Sequence, residues 1–244
     1  MRRVYPHALN VLSYNEGGNT DRPSDPGGRT GYGGVTQRTY DAYRTRLGLV
    51  HRDVWEITEA EARGIQLNYW HDVRGDFLPA GLDLFMFDWG YLYGPGRATE
   101  HLQSAVDTIV DGRFGELTRE AVKNADTVET ILKVSQLRYD TLMSKSHASD
   151  NPGWWPRCES VESLSYFLAV SQGSNSYKLP KMKVLKLNST GAEVAFIQGV
   201  LGIKSDGFYG TLTEKAVLKL QVNMNIAVDG VVGSQTWAVI CREF

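Results

Sequence analysis

The chain has 244 residues, 42% hydrophobic and 22% charged, with a formal net charge of -2 at pH 7. That length suits one large or two modest domains with a proper core, and a charge so nearly balanced argues against a nucleic-acid partner. No stretch approaches the roughly 18 consecutive apolar residues of a membrane span, and Met1-Arg2-Arg3-Val4-Tyr5-Pro6-His7 lacks the apolar core of a signal peptide; the expectation is synthesis in the cytoplasm as a soluble protein without a membrane partner.

From the N-terminus, Val4, Leu9, Val11 and Leu12 read as a short helix ending at Tyr14-Asn15, which puts Glu16 at its C-terminal end. The helix dipole disfavours negative charge there, so the Glu16 pKa is expected to rise, as a proton donor at neutral pH requires. A glycine-studded loop follows: Glu16-Gly17-Gly18, Asp25-Pro26-Gly27-Gly28-Arg29-Thr30 and Gly33-Gly34-Val35-Thr36. Its glycines permit tight turns that can return Asp25 across from Glu16, with Thr30 placed to hold a water. Paired carboxylates of this kind suit glycoside hydrolysis, one as acid and one to activate water or stabilise a cationic sugar. The spacing equally fits a turn-capping Asp25 and a solvated Glu16, and does not choose between them.

Thr36 is a fitting N-cap for a helix to about Leu47, stopped by Gly48, and Thr58-Glu59-Ala60-Glu61 is a capping box opening a helix to about His71. Of the aromatics that follow, Trp70, Phe87 and Trp89 are expected in the core, whereas Tyr32, in the loop, is a candidate to stack on a sugar, with Arg29 beside it as a second substrate contact. An internal repeat then appears: Asp111-Gly-Arg-Phe-Gly-Glu-Leu-Thr118, Asp206-Gly-Phe-Tyr-Gly-Thr-Leu-Thr213 and Asp229-Gly-Val-Val-Gly-Ser-Gln-Thr236, each followed shortly by Ala-Val. It reads as a structural turn that starts a helix. Residues 127–145 read as one long helix, Asn151-Pro152-Gly153-Trp154-Trp155-Pro156 as a break, and a last helix of this part is expected over about Val161 to Val170.

Gly173-Ser-Asn-Ser-Tyr-Lys and the lysine-rich stretch to Asn188 read as a linker. Beyond it Thr190-Gly-Ala-Glu193 opens a helix by a capping box, and helices near Thr211 to Val222 and Ser234 to Ile240 complete a three-helix module. The expected division is therefore 1–175, a linker 176–189 and a module 190–244. From Lys178 onward eight Lys or Arg stand against five acids, leaving 18 against 23 before it, so the C-terminal part is about +3 and the rest about -5. Cys158 and Cys241 fall in different parts and are expected to be reduced.

The run Glu16-Gly-Gly, Asp25-Pro-Gly-Gly, Thr30 and Gly34-Val-Thr-Gln-Arg-Thr-Tyr-Asp-Ala-Tyr-Arg resembles the N-terminal signature of glycoside hydrolase family 108, lysozyme-like muramidases common among phage endolysins. The likeness continues through Val54-Trp55-Glu56-Ile57, Tyr69-Trp70, Leu78-Pro79-Ala80-Gly81-Leu82-Asp83, Phe87-Asp88-Trp89, Gly94-Pro95-Gly96-Arg97-Ala98 and Gly153-Trp154. Two departures stand out: one extra residue between Thr30 and Gly34, and Leu92 where the family usually has Asn. The resemblance implies Glu16 as general acid; the order Glu16, Asp25, Thr30 also resembles the catalytic trio of T-even phage lysozymes. The module, through Val194, Ile197-Gln198, Leu201-Gly202, Leu220-Gln221 and Trp237, resembles the common peptidoglycan-binding domain, with Tyr209 and Trp237 as candidate wall contacts.

The resemblance implies a mainly α, two-lobed lysozyme-like domain with a small β-hairpin carrying Asp25, followed by a three-helix anchor. It further implies a monomeric muramidase that cleaves the β-1,4 bond after N-acetylmuramic acid in peptidoglycan, needs no cofactor or metal, and leaves the host cytoplasm through a holin. Inversion is expected by analogy, which calls for a carboxyl separation of roughly 6.5–9.5 Å rather than about 5 Å. The nearest rival is a lytic transglycosylase using Glu16 alone; a wall-binding protein without activity is the rival from another class. A zinc peptidase or amidase is disfavoured because His7, His51, His71, His101 and His147 lack paired ligand spacing, and a thiol peptidase on Cys158 and His147 is disfavoured because a lone Cys is more often a small buried hydrophobe. On this reading, deleting residues 180–244 weakens wall binding and leaves cleavage of soluble fragments intact.

Overall fold

The structure, a computed structural model, describes residues 4–16, 18–21, 28–145, 151–172 and 177–242. Among them eleven α-helices make up nearly all the regular structure, and paired extended backbone is limited to isolated bridges, in keeping with the mainly helical expectation. None of these helices is long and apolar enough to cross a membrane.

α1 (Val4–Asn15) ends where expected, and residues 16–36 lead to α2 (Gln37–Arg46). Thr36 caps α2 by accepting the Thr39 N–H at 3.2 Å. α3 (Glu59–Asp72) opens with the full capping box: the Glu61 N–H donates to Thr58 Oγ1 at 3.2 Å and the Thr58 N–H to the Glu61 carboxylate at 3.0 Å. Two otherwise orphaned helix donors are thereby satisfied. Val35, Tyr40, Val54, Ile57, Ala62 and Ile65 form a small core of their own, so the loop, α2 and the start of α3 make a minor lobe.

α4 (Leu82–Tyr93) is the axis of the larger lobe. Every residue from Leu82 to Gly90 is buried, Asp83 and Asp88 included. A helix apolar on nearly all sides must be enclosed, and α1, α3, α5 (Pro95–Ala105), α7 (Thr127–Met143) and α8 (Trp154–Ser171) all pack against it. Trp70, Phe87 and Trp89 lie in this core, fully buried. Between α5 and α7, α6 (Glu116–Asn124) follows the first copy of the repeat.

All three repeats form the same hydrogen-bonded unit, held by a glutamine eight residues before each Asp. The side-chain amide of Gln103 donates to Asp111, the Arg113 carbonyl and Thr118, at 2.8, 3.0 and 3.0 Å, and accepts from the Asp111 and Gly112 N–H groups. Gln198 repeats this with Asp206, Phe208 and Thr213, and Gln221 with Asp229, Val231 and Thr236. The buried amide uses its donors and acceptor fully, which rigidifies the turn.

The break expected at 151–156 is shorter than the sequence suggests. α8 already begins at Trp154, with Pro156 inside its first turn, where a missing N–H leaves no intrahelical bond unmade. The capping box expected at Thr190 does not form either. Thr190 is bridged to Phe208 and the Gly191 N–H donates to the Gly207 carbonyl, so α9 (Ala192–Val200) starts after Gly191 without a side-chain cap. α10 (Thr211–Asn223) and α11 (Ser234–Arg242) complete the module. The second half of the expected linker belongs to it: Leu185 is buried and exchanges backbone hydrogen bonds with Val232, and the Lys183 carbonyl accepts from the Trp237 indole at 2.9 Å.

Candidate active site

Glu16 follows directly on α1, its N–H bonded to the Leu12 carbonyl at 2.9 Å. Its side chain lies where the two lobes meet. From the minor lobe comes Gly34, with φ +73°, and a Cβ there would overlap Glu16 Oε2 and stand 2.7 Å from its Cδ. Only glycine both accepts that backbone conformation and leaves room for the carboxylate. From the major lobe, Arg157 Nη1 donates to Glu16 Oε1 at 2.7 Å.

Arg157 belongs to a buried chain of charges. Its Nε donates to Asp88 Oδ1 at 2.9 Å, and Arg138 Nη2 pairs with Asp88 Oδ2 at 2.9 Å. Arg138 is wholly buried and Asp88 nearly so. Burial by itself acts to raise the Asp88 pKa, but the guanidiniums of Arg157 and Arg138 reverse this and hold the carboxyl below its ordinary value. Such ions tolerate burial only because each faces an opposite charge.

At Glu16 the balance tips the other way. Burial raises its pKa above the ordinary carboxylate value, Arg157 offsets part of the rise, and Asp88 adds to it. The expected direction is found, but its main cause is removal from water rather than the helix dipole. Two half-buried tyrosines stand by: burial, with Glu16 as a further cause, raises the pKa of both Tyr69 and Tyr91. Their rings lie 4.7 Å apart, and the Tyr91 hydroxyl donates to the Gly33 carbonyl at 2.6 Å, tying α4 to the loop that faces Glu16.

Asp25 lies outside the described residues, as does Gly17. The flanks of its loop are fixed: Thr20 and Thr30 pair as an antiparallel bridge with N–H donors at 3.1 and 2.9 Å, and Thr30 pairs in turn with Thr36. The Thr30 hydroxyl is 2.6 Å from that of Thr20, and its carbonyl accepts from the Trp55 indole at 3.0 Å. Arg29, expected to touch substrate, is ion-paired to Asp53 at 2.6 Å and stacked over Trp55 at 3.6 Å. Tyr32 is 47% exposed and free to present its ring.

Tyr209 and Trp237 require correction as wall contacts. Both are buried; the Tyr209 hydroxyl donates to the Gly230 carbonyl at 2.7 Å and the Trp237 ring packs on Phe167. Their size and apolarity serve the module's core. Cys158 is also buried, which pushes its thiol pKa up, and His147 lies outside the described residues.

Arg157 and Arg138 were not anticipated around Glu16, nor was the placement of Tyr69 and Tyr91 beside it. The available signal was Asp88, an acid within the apolar run Leu84 to Trp89, because a carboxylate there needs a cationic partner from elsewhere in the chain.

The family model for glycosyl hydrolase 108 matches residues 9–94, a span that contains Glu16, Gly34, Tyr69, Asp88 and Tyr91. A peptidoglycan-binding domain model matches residues 193–240. No curated protein matches the chain. Among solved structures, one described as the structure of Brucella abortus SagA is 33% identical with a TM-score of 0.60, over 70% of this chain and 95% of that one. With its buried glutamate and that likeness, the chain belongs to glycosyl hydrolase family 108, a glycoside hydrolase acting on peptidoglycan that carries a peptidoglycan-binding module at its C-terminal end.

Proposed function

We propose that the enzyme is a muramidase of the endolysin type, hydrolysing the β-1,4 bond between N-acetylmuramic acid and N-acetylglucosamine. The observation that carries this reading is the environment of Glu16: a carboxyl at the lobe junction whose pKa burial raises, held in one orientation by Arg157 and faced by the side-chain-free Gly34. A group that is protonated at higher pH than an ordinary glutamate, and is fixed in place, suits general-acid catalysis.

In the proposed reaction Glu16 gives its proton to the departing glycosidic oxygen as the bond to the muramic carbon breaks. Asp25, with Thr30, positions the water that attacks that carbon, accepts its proton and stabilises the oxocarbenium-like charge. The ionised Glu16 then forms beside Arg157, which stabilises the new charge. The threonine bridges at 20, 30 and 36 support the role given to Asp25, because they fix both ends of the loop that bears it. Tyr32 lies on the same loop as a stacking ring. Synthesis in a host cytoplasm, release through a holin and action as a monomer complete the proposal.

The test is mass spectrometry of products from purified peptidoglycan, comparing wild type with Glu16→Gln. Reducing muramic ends made by wild type alone are expected. Anhydro ends, one water lighter, would replace hydrolysis by transglycosylation and remove Asp25 from the mechanism. Equal cleavage by Glu16→Gln would remove Glu16.

A further inference from the structure

α9 is not built like the outer helix of a tethered module. All seven residues from Ala192 to Gln198 are buried, which requires neighbours on every side. Its own module supplies one side; α1 and α8 supply the other, and α11 also packs on α8. The apolar core runs without a break from Leu9, Leu12 and Phe87 through Phe167 to Phe196, Ile197 and Trp237. The Phe167 and Trp237 rings meet edge to face at 5.4 Å, and His7 and Phe196 approach to 6.1 Å.

Two close approaches of the module, at Gly199 and Gly207, fall on one stripe of α1. His7, Asn10 and Tyr14 recur at intervals of three and four, so they share a face. A Cβ on Gly199, near the end of α9, would overlap Asn10 Nδ2 and stand 3.2 Å from His7 Nδ1. A Cβ on Gly207, in the repeat turn, would overlap the ring of Tyr14. Tyr14 stands two residues before Glu16. The C-terminal module therefore seats two glycines against the helix whose end carries the carboxylate.

We propose that the peptidoglycan-binding module is also a wall of the catalytic domain, with Gly199 and Gly207 as positioning residues that set α1, and through it Glu16, against Arg157 and Gly34. This rests on Glu16 being the proton donor. It reverses the expectation that residues 180–244 can be removed without affecting cleavage of soluble fragments, because removal would uncover the face of α1 that packs on α9. A displacement of about 1 Å in a catalytic group suffices for a large loss of rate.

Gly199→Ala in the full chain is the sharpest test. Gly199 is helical without positive φ, and Ala favours helix over Gly, so the change strengthens α9 locally while wedging it from α1. On soluble glycan oligomers we expect kcat to fall about ten- to hundredfold with KM within about threefold, retained pelleting with insoluble wall, and faster amide hydrogen exchange in α1. Asn10→Ala in the same chain removes the atom that the new methyl meets and is expected to restore most of kcat and the exchange protection. Unchanged kcat and unchanged α1 exchange in Gly199→Ala would overturn the proposal, as would a loss that Asn10→Ala leaves unrescued.

Should Gly199→Ala not fold, Tyr14→Ala removes the ring on the Gly207 turn without adding a wedge. Faster α1 exchange with lower kcat supports the proposal, and wild-type values of both overturn it. If Glu16→Gln cleaves as well as wild type, the muramidase reading fails by itself; α1 exchange then decides whether the module holds this helix.

Discussion

Replacing Arg157 by Met isolates what the buried cation does to Glu16. The change removes a donor 2.7 Å from Glu16 Oε1 and the contacts to Asp88 at 2.9 Å, and keeps most of the apolar stem. Breaking a buried ion pair from one side costs about 3–5 kcal/mol. Asp88 keeps Arg138 at 2.9 Å, so the lower end, about 3 kcal/mol, is expected. At about 2–4 °C per kcal/mol for a protein of this size, the melting temperature should fall by about 6–12 °C.

The effect on Glu16 has a definite sign. With Arg157 present, ionising Glu16 completes a neutral set of two cations and two anions. Without it, the neutral set is Asp88 and Arg138 with Glu16 protonated. The Glu16 pKa must therefore rise further in the variant, and because a general acid works only while protonated, the alkaline limb of kcat against pH must move upward. An adjacent opposite charge typically matters by one pH unit or more, so a displacement of at least about one unit is expected. The assay is kcat on soluble glycan oligomers across the alkaline limb, run well below the variant's melting temperature, with Arg157→Lys as the charge-preserving control. A limb that stays in place or moves to lower pH would refute the electrostatic account of this site.

Gly34→Ala should reduce kcat at least tenfold, since the methyl occupies the place of Glu16 Oε2, and the positive φ adds about 1–2 kcal/mol of backbone strain; near-normal kinetics would mean that Glu16 has another productive position. Gln103→Leu and Gln198→Leu should each cost about 2–4 kcal/mol in denaturant unfolding, because buried partners lose their bonds while the apolar shape is kept, and a neutral effect of either would deny the glutamine its structural role. Burial lowers the pKa of both His7 and His101, with Arg97 adding to the effect at His101. The unfolded chain then binds more protons between the lowered values and about 6.5, so stability is full above that pH and declines as pH falls through the window. In a Glu16→Gln background, which removes the opposite trend of that raised carboxyl, a melting temperature that rises on acidification there would contradict it, and His7→Phe should weaken the dependence.

What the sequence determined by itself was local. The N-cap at Thr36, the capping box at Thr58 and Glu61, the end of α1 at Asn15 and the three Asp-Gly turns each depend on bonds spanning a few residues, so their signals sit side by side in the chain. Glu16 was legible for the same reason: helix, acid and glycine loop are contiguous. The glutamine of each repeat lay eight residues from its Asp and carried no local mark, although the three equal spacings were there to be compared. Thr190 shows where local logic fails, since a bridge to Phe208 took the backbone that a capping box needed.

Only the tertiary structure brought Arg157 to Glu16 across 141 positions and made burial, rather than the helix dipole, the main cause of its raised pKa. Only it showed that Tyr209 and Trp237 face inward and that α9 lies against α1. The physical reason is common to all four: burial and charge pairing are properties of what surrounds a side chain, and those neighbours come from segments whose distance along the chain leaves no periodicity to read.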